Sequence, residues 1–297
     1  MFSELKTVID VNKISTNVPM SELTTFKTGG NAEIVIYPTN SAELKSVVEF
    51  FCDCKAEYYV LGNGSNLIVS DNGLKKPVIC LSKNFASIEV FDNCITAKSG
   101  AFLSAIARKA LEESLTGFEF AAGIPGTLGG ALMMNAGAYG GEMKDVVEAV
   151  SFMDSTGREY VVSCDEMEFA YRKSALSDTD CIITGATIKL TKGDKESILA
   201  TMNDLAARRR DKQPLEYPSA GSTFKRPVGY FAGALIEDCN LKGVSVGGAQ
   251  VSEKHAGFII NKNNATTEDI LNLIELVRNT VYEKHGVYLE PEVKYWD

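Results

Sequence analysis

The stretch from Ala121 to Met143, AAGIPGTLGGALMMNAGAYGGEM, contains seven glycines, and glycine and alanine together fill more than half of it. Glycine costs about 0.5–1 kcal/mol relative to alanine inside a regular element, so such a run opposes an ordinary core helix. A flexible linker would be polar and serine-rich. This run instead carries Ile124, Pro125, Leu128, Leu132, Met133 and Met134, which need burial. It reads as a buried loop with another molecule lying against its backbone.

A second cluster lies about sixty residues earlier, in LGNGSNLIVSDNG from Leu61 to Gly73. There a strand ends in Gly62-Asn63-Gly64-Ser65-Asn66. Glycine permits left-handed turns that point successive backbone N–H groups one way, a nest suited to a diphosphate. Asn-Gly is equally a hairpin turn. Two such loops in separate strand–helix units suggest a long bipartite ligand such as a dinucleotide cofactor. Neither matches the GxGxxG or GxxxxGK[ST] pattern, which disfavours a Rossmann or Walker site.

The surrounding pattern is α+β. SAELKSVVEFFCDC places Leu44, Val47, Val48 and Phe51 on one helical stripe, with Ser41 as expected N-cap. Flanking runs AEIVIYP and EYYVLG make this a βαβ unit. PVICL and CITAKSG read as strands, AFLSAIARKALEES as a helix, and EAVSFMD, EYVVS and CIITGATIKL as further strands. KESILATMNDLAARRRDKQP is helical, with Ile198, Met202, Leu205 and Arg209 on one side. Thr266 and Asp269 fit a capping box opening a last helix. The chain of 297 residues is long enough for two or three domains. The change of character near Lys192-Gly193-Asp194 places a domain boundary near 190–195, with an α+β substrate-side domain expected after it.

The net charge of −9 argues against a nucleic-acid binder. Seven cysteines without a CxxC pair, and two histidines, leave a metal site unexpected. MFSELKTVID does not resemble a signal peptide, and no apolar run nears the ~20 residues that span a bilayer. The expectation is a cytoplasmic monomer with no membrane or nucleic-acid partner.

Three further segments could carry chemistry. Arg172 in FAYRKSAL could hold a carboxylate bidentately or lie along the surface. Ser222 in PSAGSTFKRP could react or merely bond local backbone. Glu290 and Glu292 share one side of YLEPEVKYW, where solvated edge carboxylates are the default.

In order, LGNGSNLIV, GIPGTLGGALMMNAGAYGGE, YRKSAL, AGSTFKRP, AGALIEDCNLKGVSVGGAQVSEKHAGFIIN and the final glutamate resemble the UDP-N-acetylenolpyruvoylglucosamine reductases across nearly the whole chain. The resemblance implies a bipartite FAD-binding fold of the vanillyl-alcohol-oxidase type followed by an α+β substrate-binding domain, with 1–80 and 81–192 as the two FAD subdomains and 193–297 as the substrate-binding domain, whose segment 286–297 returns to the active site. It assigns Gly62, Asn63, Gly64, Ser65, Asn66, Gly123, Ile124, Pro125, Gly126, Gly129, Gly130, Asn135 and Gly137 to FAD. FAD is expected to be non-covalent, since no histidine precedes His255. It implies reduction of UDP-N-acetylglucosamine enolpyruvate to UDP-N-acetylmuramate by hydride from NADPH, in peptidoglycan precursor synthesis and hence cell-wall growth. Arg172 and Glu292, by the same resemblance, stabilise the enolate-like intermediate, and Ser222 supplies a proton. Arg208 and Lys212, spaced i,i+4, are candidates for the UDP diphosphate, against the plainer reading of a solvated helix end, and Lys225 is a further candidate substrate contact.

Two departures from the family pattern stand out. Too few residues follow Tyr171-Arg172 for the tyrosine-bearing loop of one branch, which makes this the shorter, second type. Arg226 stands where some members carry asparagine. The rival readings are another FAD-dependent oxidoreductase of the same fold, acting on an alcohol or another sugar, and a non-catalytic flavin-binding regulator.

Overall fold

A computed structural model describes residues 2–297. The expected strand–helix–strand run forms: helix Ser41–Asp53 buries Leu44, Val47, Val48 and Phe51. Its cap is Asn40, not Ser41. Asn40 Oδ1 accepts from Glu43 N at 3.0 Å, and Ser41 becomes the first helical residue. Both residue types cap well, and the one in extended backbone takes the role. Val35 and Ile36 pair in parallel with Val78 and Ile79, while Tyr59–Leu61 pair in parallel with the other side of Val78–Cys80.

The chain divides into two units. The first comprises residues through Ser15, Ile34–Asn63 and Lys76–Arg209. Besides the parallel strands it holds a five-stranded antiparallel sheet in the order Glu159–Ser163, Val147–Met153, Ile182–Lys189, Cys94–Lys98, Ile88–Phe91. Helix Leu103–Glu112 buries Leu103, Ile106, Ala107 and Ala110 in a core shared with Ile95, Val150, Ile183 and Ile188. The short helix Leu128–Met133 adds Leu128, Ala131 and Leu132 to that core.

The second unit comprises Thr16–Glu33, Gly64–Lys75 and Arg210–Asp297. A three-stranded antiparallel sheet, Ser245–Val246, Ala249–Val251 and Ile259–Asn261, packs with helix Thr267–His285. The expected capping box is present: Thr266 Oγ1 accepts from Asp269 N, and the Asp269 carboxylate accepts from Thr266 N. Gly286, at φ +66°, ends the helix in the left-handed conformation. Lys294–Trp296 pairs in parallel with Leu67–Val69.

These units do not follow the linear three-part division expected. Helix Lys195–Lys212 buries Ile198 and sets Met202 against the first unit's core, so the break falls at Arg209/Arg210 rather than at 193. Ile68 and Phe26 join the core of the second unit, which recruits the two early segments.

Candidate active site

In the first unit, the end of strand Tyr59–Leu61 and the start of helix Leu128–Met133 meet. A Cβ on Gly62 would lie 2.4 Å from Thr127 Oγ1, and Asn63 Nδ2 donates to the Pro125 carbonyl at 2.7 Å. The two glycine loops thus touch through Gly62, Asn63, Pro125 and Thr127, and only a residue without a side chain fits at 62. Beside them opens a pocket whose lining includes Val60, Gly62, Ser99, Thr127, Gly130 and Met133. Gly130 faces open space, since a Cβ there would meet nothing closer than Thr127 Oγ1 at 3.8 Å.

Ser99 was not among the expected site residues, yet it carries the sharpest signal of a ligand. It is buried, it lines this pocket, and its Oγ has no hydrogen-bond partner within the protein. A buried hydroxyl without a partner costs about 1–3 kcal/mol, so such atoms are rare and call for a bonding group from outside the chain. A lone serine after a strand gives no sign of this in sequence.

Several expected cofactor residues are committed elsewhere. Gly129 lines the pocket as well, but a Cβ on it would sit 2.9 Å from Ser99 Cβ, and Gly129 N donates to the Ser99 carbonyl at 2.8 Å, so its close approach is to a neighbouring strand end. Asn135 is buried at φ +42° with its amide spent inside the protein. Its Nδ2 donates to Glu142 and to the Ala170 carbonyl, and its Oδ1 accepts from Lys144 N. Gly137 pairs with Glu142 in a tight hairpin, where a Cβ would lie 2.8 Å from the Gly141 carbonyl oxygen. Gly64, at φ +59°, packs within the second unit, its absent Cβ replaced by the Leu23 carbonyl oxygen at 2.2 Å. Ser65 is half-buried beside it. Gly126 and Ile124 are half-buried in the loop, with the Gly126 carbonyl accepting from Leu103 N.

Of the basic run, Arg208 points outward and pairs with Asp204 at 2.9 Å, and Lys212 is exposed. Arg209 turns inward: its guanidinium lies 3.3 Å from the position a Cβ would take on Gly123. Burial lowers its pKa from the usual arginine value, with Tyr139 opposing, and it stays charged. The signal was present in sequence, because Arg209 shares a helical stripe with Ile198, Met202 and Leu205.

Arg172 sits in a turn closed by reciprocal backbone hydrogen bonds between Ala170 and Lys173. Its φ is +56°, and its guanidinium lies 5.3 Å from the Tyr171 ring centroid. A left-handed non-glycine residue costs about 1–2 kcal/mol and persists where the surroundings over-determine it. Asn135 bonds the Ala170 carbonyl from one side, and Ser174 and Ser177 both bond the Met133 carbonyl from the other. The glycine-rich segment therefore builds the turn that aims Arg172.

Ser222 and Glu292 lie on adjoining antiparallel segments of the second unit. Phe224 forms an antiparallel bridge with Pro291, flanked by Glu292 N to the Thr223 carbonyl at 2.8 Å and Lys225 N to the Glu290 carbonyl at 2.9 Å. The residue opposite half-buried Glu292 is thus Thr223, and exposed Ser222 is its chain neighbour. Thr223 between them is anchored: its N donates to the Gly257 carbonyl and its Oγ1 accepts from Ile259 N. Lys225 is ion-paired with exposed Glu290 at 2.5 Å. Among the described residues no group of His, Cys, Asp and Glu could hold a metal ion, and no helix is long and apolar enough to cross a membrane.

These features define a protein of the FAD-binding oxidoreductase class: an FAD-binding domain model matches residues 32–163. The model of the C-terminal domain of UDP-N-acetylenolpyruvoylglucosamine reductase matches 213–296. A UDP-N-acetylenolpyruvoylglucosamine reductase of Caldanaerobacter subterraneus subsp. tengcongensis is 50% identical over 294 residues, covering 99% of this chain and 97% of the relative. The crystal structure of the Thermus caldophilus enzyme of that name superposes with a TM-score of 0.82 at 36% identity, covering 96% of this chain and 98% of that one. The chain belongs to the UDP-N-acetylenolpyruvoylglucosamine reductase family and is an FAD-dependent oxidoreductase. Phl p 4, a grass pollen allergen with glucose dehydrogenase activity, shares the fold alone, at 16% identity and a TM-score of 0.53 over 65% of this chain and 44% of its own.

Proposed function

We propose that this chain reduces the enolpyruvyl ether of UDP-N-acetylglucosamine enolpyruvate to the lactyl ether of UDP-N-acetylmuramate, with NADPH as donor. The observation that carries the reading is that the segments bearing Ser222 and Glu292 adjoin, with Thr223 opposite Glu292, in a chain 50% identical to a member of the family over 294 residues. The residues fit the cofactor: Ser99 offers an unpartnered hydroxyl, Gly130 leaves room beside it, and Arg209 offers a positive charge behind Gly123. FAD, when bound, supplies the two-electron relay between NADPH and the substrate.

The chain's own residues do the rest. As hydride reaches the terminal carbon of the double bond, charge builds on the adjacent carbon and its carboxylate. Arg172, held by its strained turn, pairs with that carboxylate, and Glu292 stabilises the developing enolate as a hydrogen-bond donor. Ser222 delivers the proton to the carbon. Preorganised groups of this kind act best where water is excluded. We assign cofactor binding to the first unit, Arg209 included, and binding of the UDP sugar to the second, and we place the protein in the cytoplasm as a monomer. The FAD is non-covalent.

The test is NADPH oxidation by the purified yellow protein with and without UDP-N-acetylglucosamine enolpyruvate. Rapid oxidation only when the sugar is present supports the reading, and oxidation indifferent to it refutes it. Flavin left in the acid-precipitated pellet would contradict non-covalent binding.

A further inference from the structure

The C-terminal residues Glu290–Trp296 run between two neighbours and change partner at one residue. Ahead of that residue the partner is Thr223–Lys225, through the bridge described above. Beyond it, Lys294 N donates to the Asn66 carbonyl at 3.0 Å, and Lys294–Trp296 pair in parallel with Leu67–Val69. The residue at the change is Glu292. Its N–H looks back to Thr223, and its carbonyl accepts from Asn66 Nδ2 at 3.1 Å. Only the amide nitrogen can donate to a carbonyl, so this bond also fixes the orientation of the Asn66 side chain.

Asn66 thereby grips both sides of the switch, by its side chain at Glu292 and by its backbone at Lys294. Its own loop is held in turn. Thr25 N donates to the Gly64 carbonyl at 3.1 Å, and Thr25 Oγ1 donates to the Ser219 carbonyl at 2.6 Å, three residues before Ser222. One fixed point therefore serves the loop that grips Glu292 and the segment that leads to Ser222.

We propose that the Asn66 side chain has a positioning role: it holds the backbone of Glu292 in register with Thr223, the residue next to Ser222. The proposal rests on the reading of Glu292 and Ser222 as catalytic. A carboxyl group at a partner switch has no continuous ladder to hold it, so loss of the side-chain bond lets the backbone at Glu292 relax. Misplacement of a reacting group by about 1 Å can cost about 10²-fold in rate.

Asn66→Asp and Asn66→Ala remove the donor in different ways. Aspartate keeps the shape but turns a carboxylate oxygen toward the Glu292 carbonyl. Each variant is purified as holoenzyme beside Ser222→Ala and Glu292→Gln. Flavin content is read by absorbance, apo-protein stability by melting, and the two half-reactions by stopped flow. The expected result for both Asn66 variants is full flavin content, reduction by NADPH at the normal rate, and reoxidation by the enolpyruvyl substrate slowed about 10- to 100-fold, with KM little changed. Loss of flavin, or equal slowing of both halves, overturns the proposal and returns Asn66 to the cofactor. Normal reoxidation in the Asn66 variants while Glu292→Gln is slow overturns the positioning role alone. Normal reoxidation in both Glu292→Gln and Ser222→Ala removes the catalytic reading beneath it. Should alanine prevent folding, the aspartate variant carries the same test.

Discussion

The two glycine loops look alike in sequence and use their glycines differently. In Gly62–Asn66 the missing side chains bring protein against protein: Gly62 meets Thr127, and Gly64 meets the Leu23 carbonyl. In Gly123–Gly141 the uses are mixed. Gly129 abuts Ser99 and Gly141 abuts the Phe120 ring, while Gly130 faces the pocket. Glycine richness therefore marks close approach, and most of what approaches is the chain itself. The ligand is marked by the exceptions, an open glycine and an unpartnered hydroxyl.

Substitutions along the two loops break or sharpen that contrast. The largest effect is expected at Gly64, where φ is +59° and a Cβ would sit 2.2 Å from backbone oxygen. Gly64→Val should lower the melting temperature by more than about 10 °C or abolish soluble expression, because strain and overlap with backbone add. A variant melting near wild type would refute the packing account of the first loop.

Gly129 and Gly130 form the sharper pair, being adjacent in one helix. Gly129→Val should destabilise the apo-protein by about 1–3 kcal/mol through overlap with Ser99, whether or not flavin is added. Gly130→Ala should leave the apo-protein unchanged, or more stable by up to about 1 kcal/mol from helix propensity, while weakening flavin binding. Differential scanning fluorimetry and flavin titration separate the two, and a reversed order would exchange their roles.

Ser99→Ala should move stability and affinity in opposite directions. Removing a buried hydroxyl that has no partner stabilises the apo-protein, and removing its bond to the cofactor weakens flavin binding by about 1 kcal/mol, roughly fivefold. Loss of stability on this substitution would mean that the hydroxyl is already satisfied. The smallest effects are expected in the basic run. Arg208→Met should change stability by no more than about 0.5 kcal/mol, since its pair with Asp204 is exposed. Arg209→Met should leave the fold intact and lower flavin affinity, so equal behaviour of the two variants would remove the distinction between them.

The legible part of the molecule was local. Leu44, Val47, Val48 and Phe51 announced their helix because burial at i, i+3, i+4 and i+7 is a one-dimensional signal. Thr266 and Asp269 announced theirs because a capping box spans four residues. What was not legible was long-range. Nothing in residues 64–75 says that Ile68 packs with a core drawn from residues 220–289. The resemblance gives Asn66 and Asn135 to FAD, and no local pattern shows that their side-chain amides bond Glu292, Glu142 and Ala170. Arg209 shares its stripe with Ile198, Met202 and Leu205 in the sequence, but the i,i+4 spacing of Arg208 and Lys212 draws the functional reading to those two instead. The order of motifs carried the family, and the candidate residues Arg172, Ser222 and Glu292 came with it.

The unpartnered Ser99 hydroxyl also bears on how much of this protein a cell keeps. A chain folded without its cofactor carries the full desolvation cost of that oxygen, and flavin binding relieves it. Anything that binds the native state alone stabilises it by mass action. The fraction open to proteolysis at a given moment then depends on flavin concentration, and a shift of 1–2 kcal/mol is enough to change steady-state abundance several-fold. Flavin supply would set the number of enzyme molecules present as well as the activity of each.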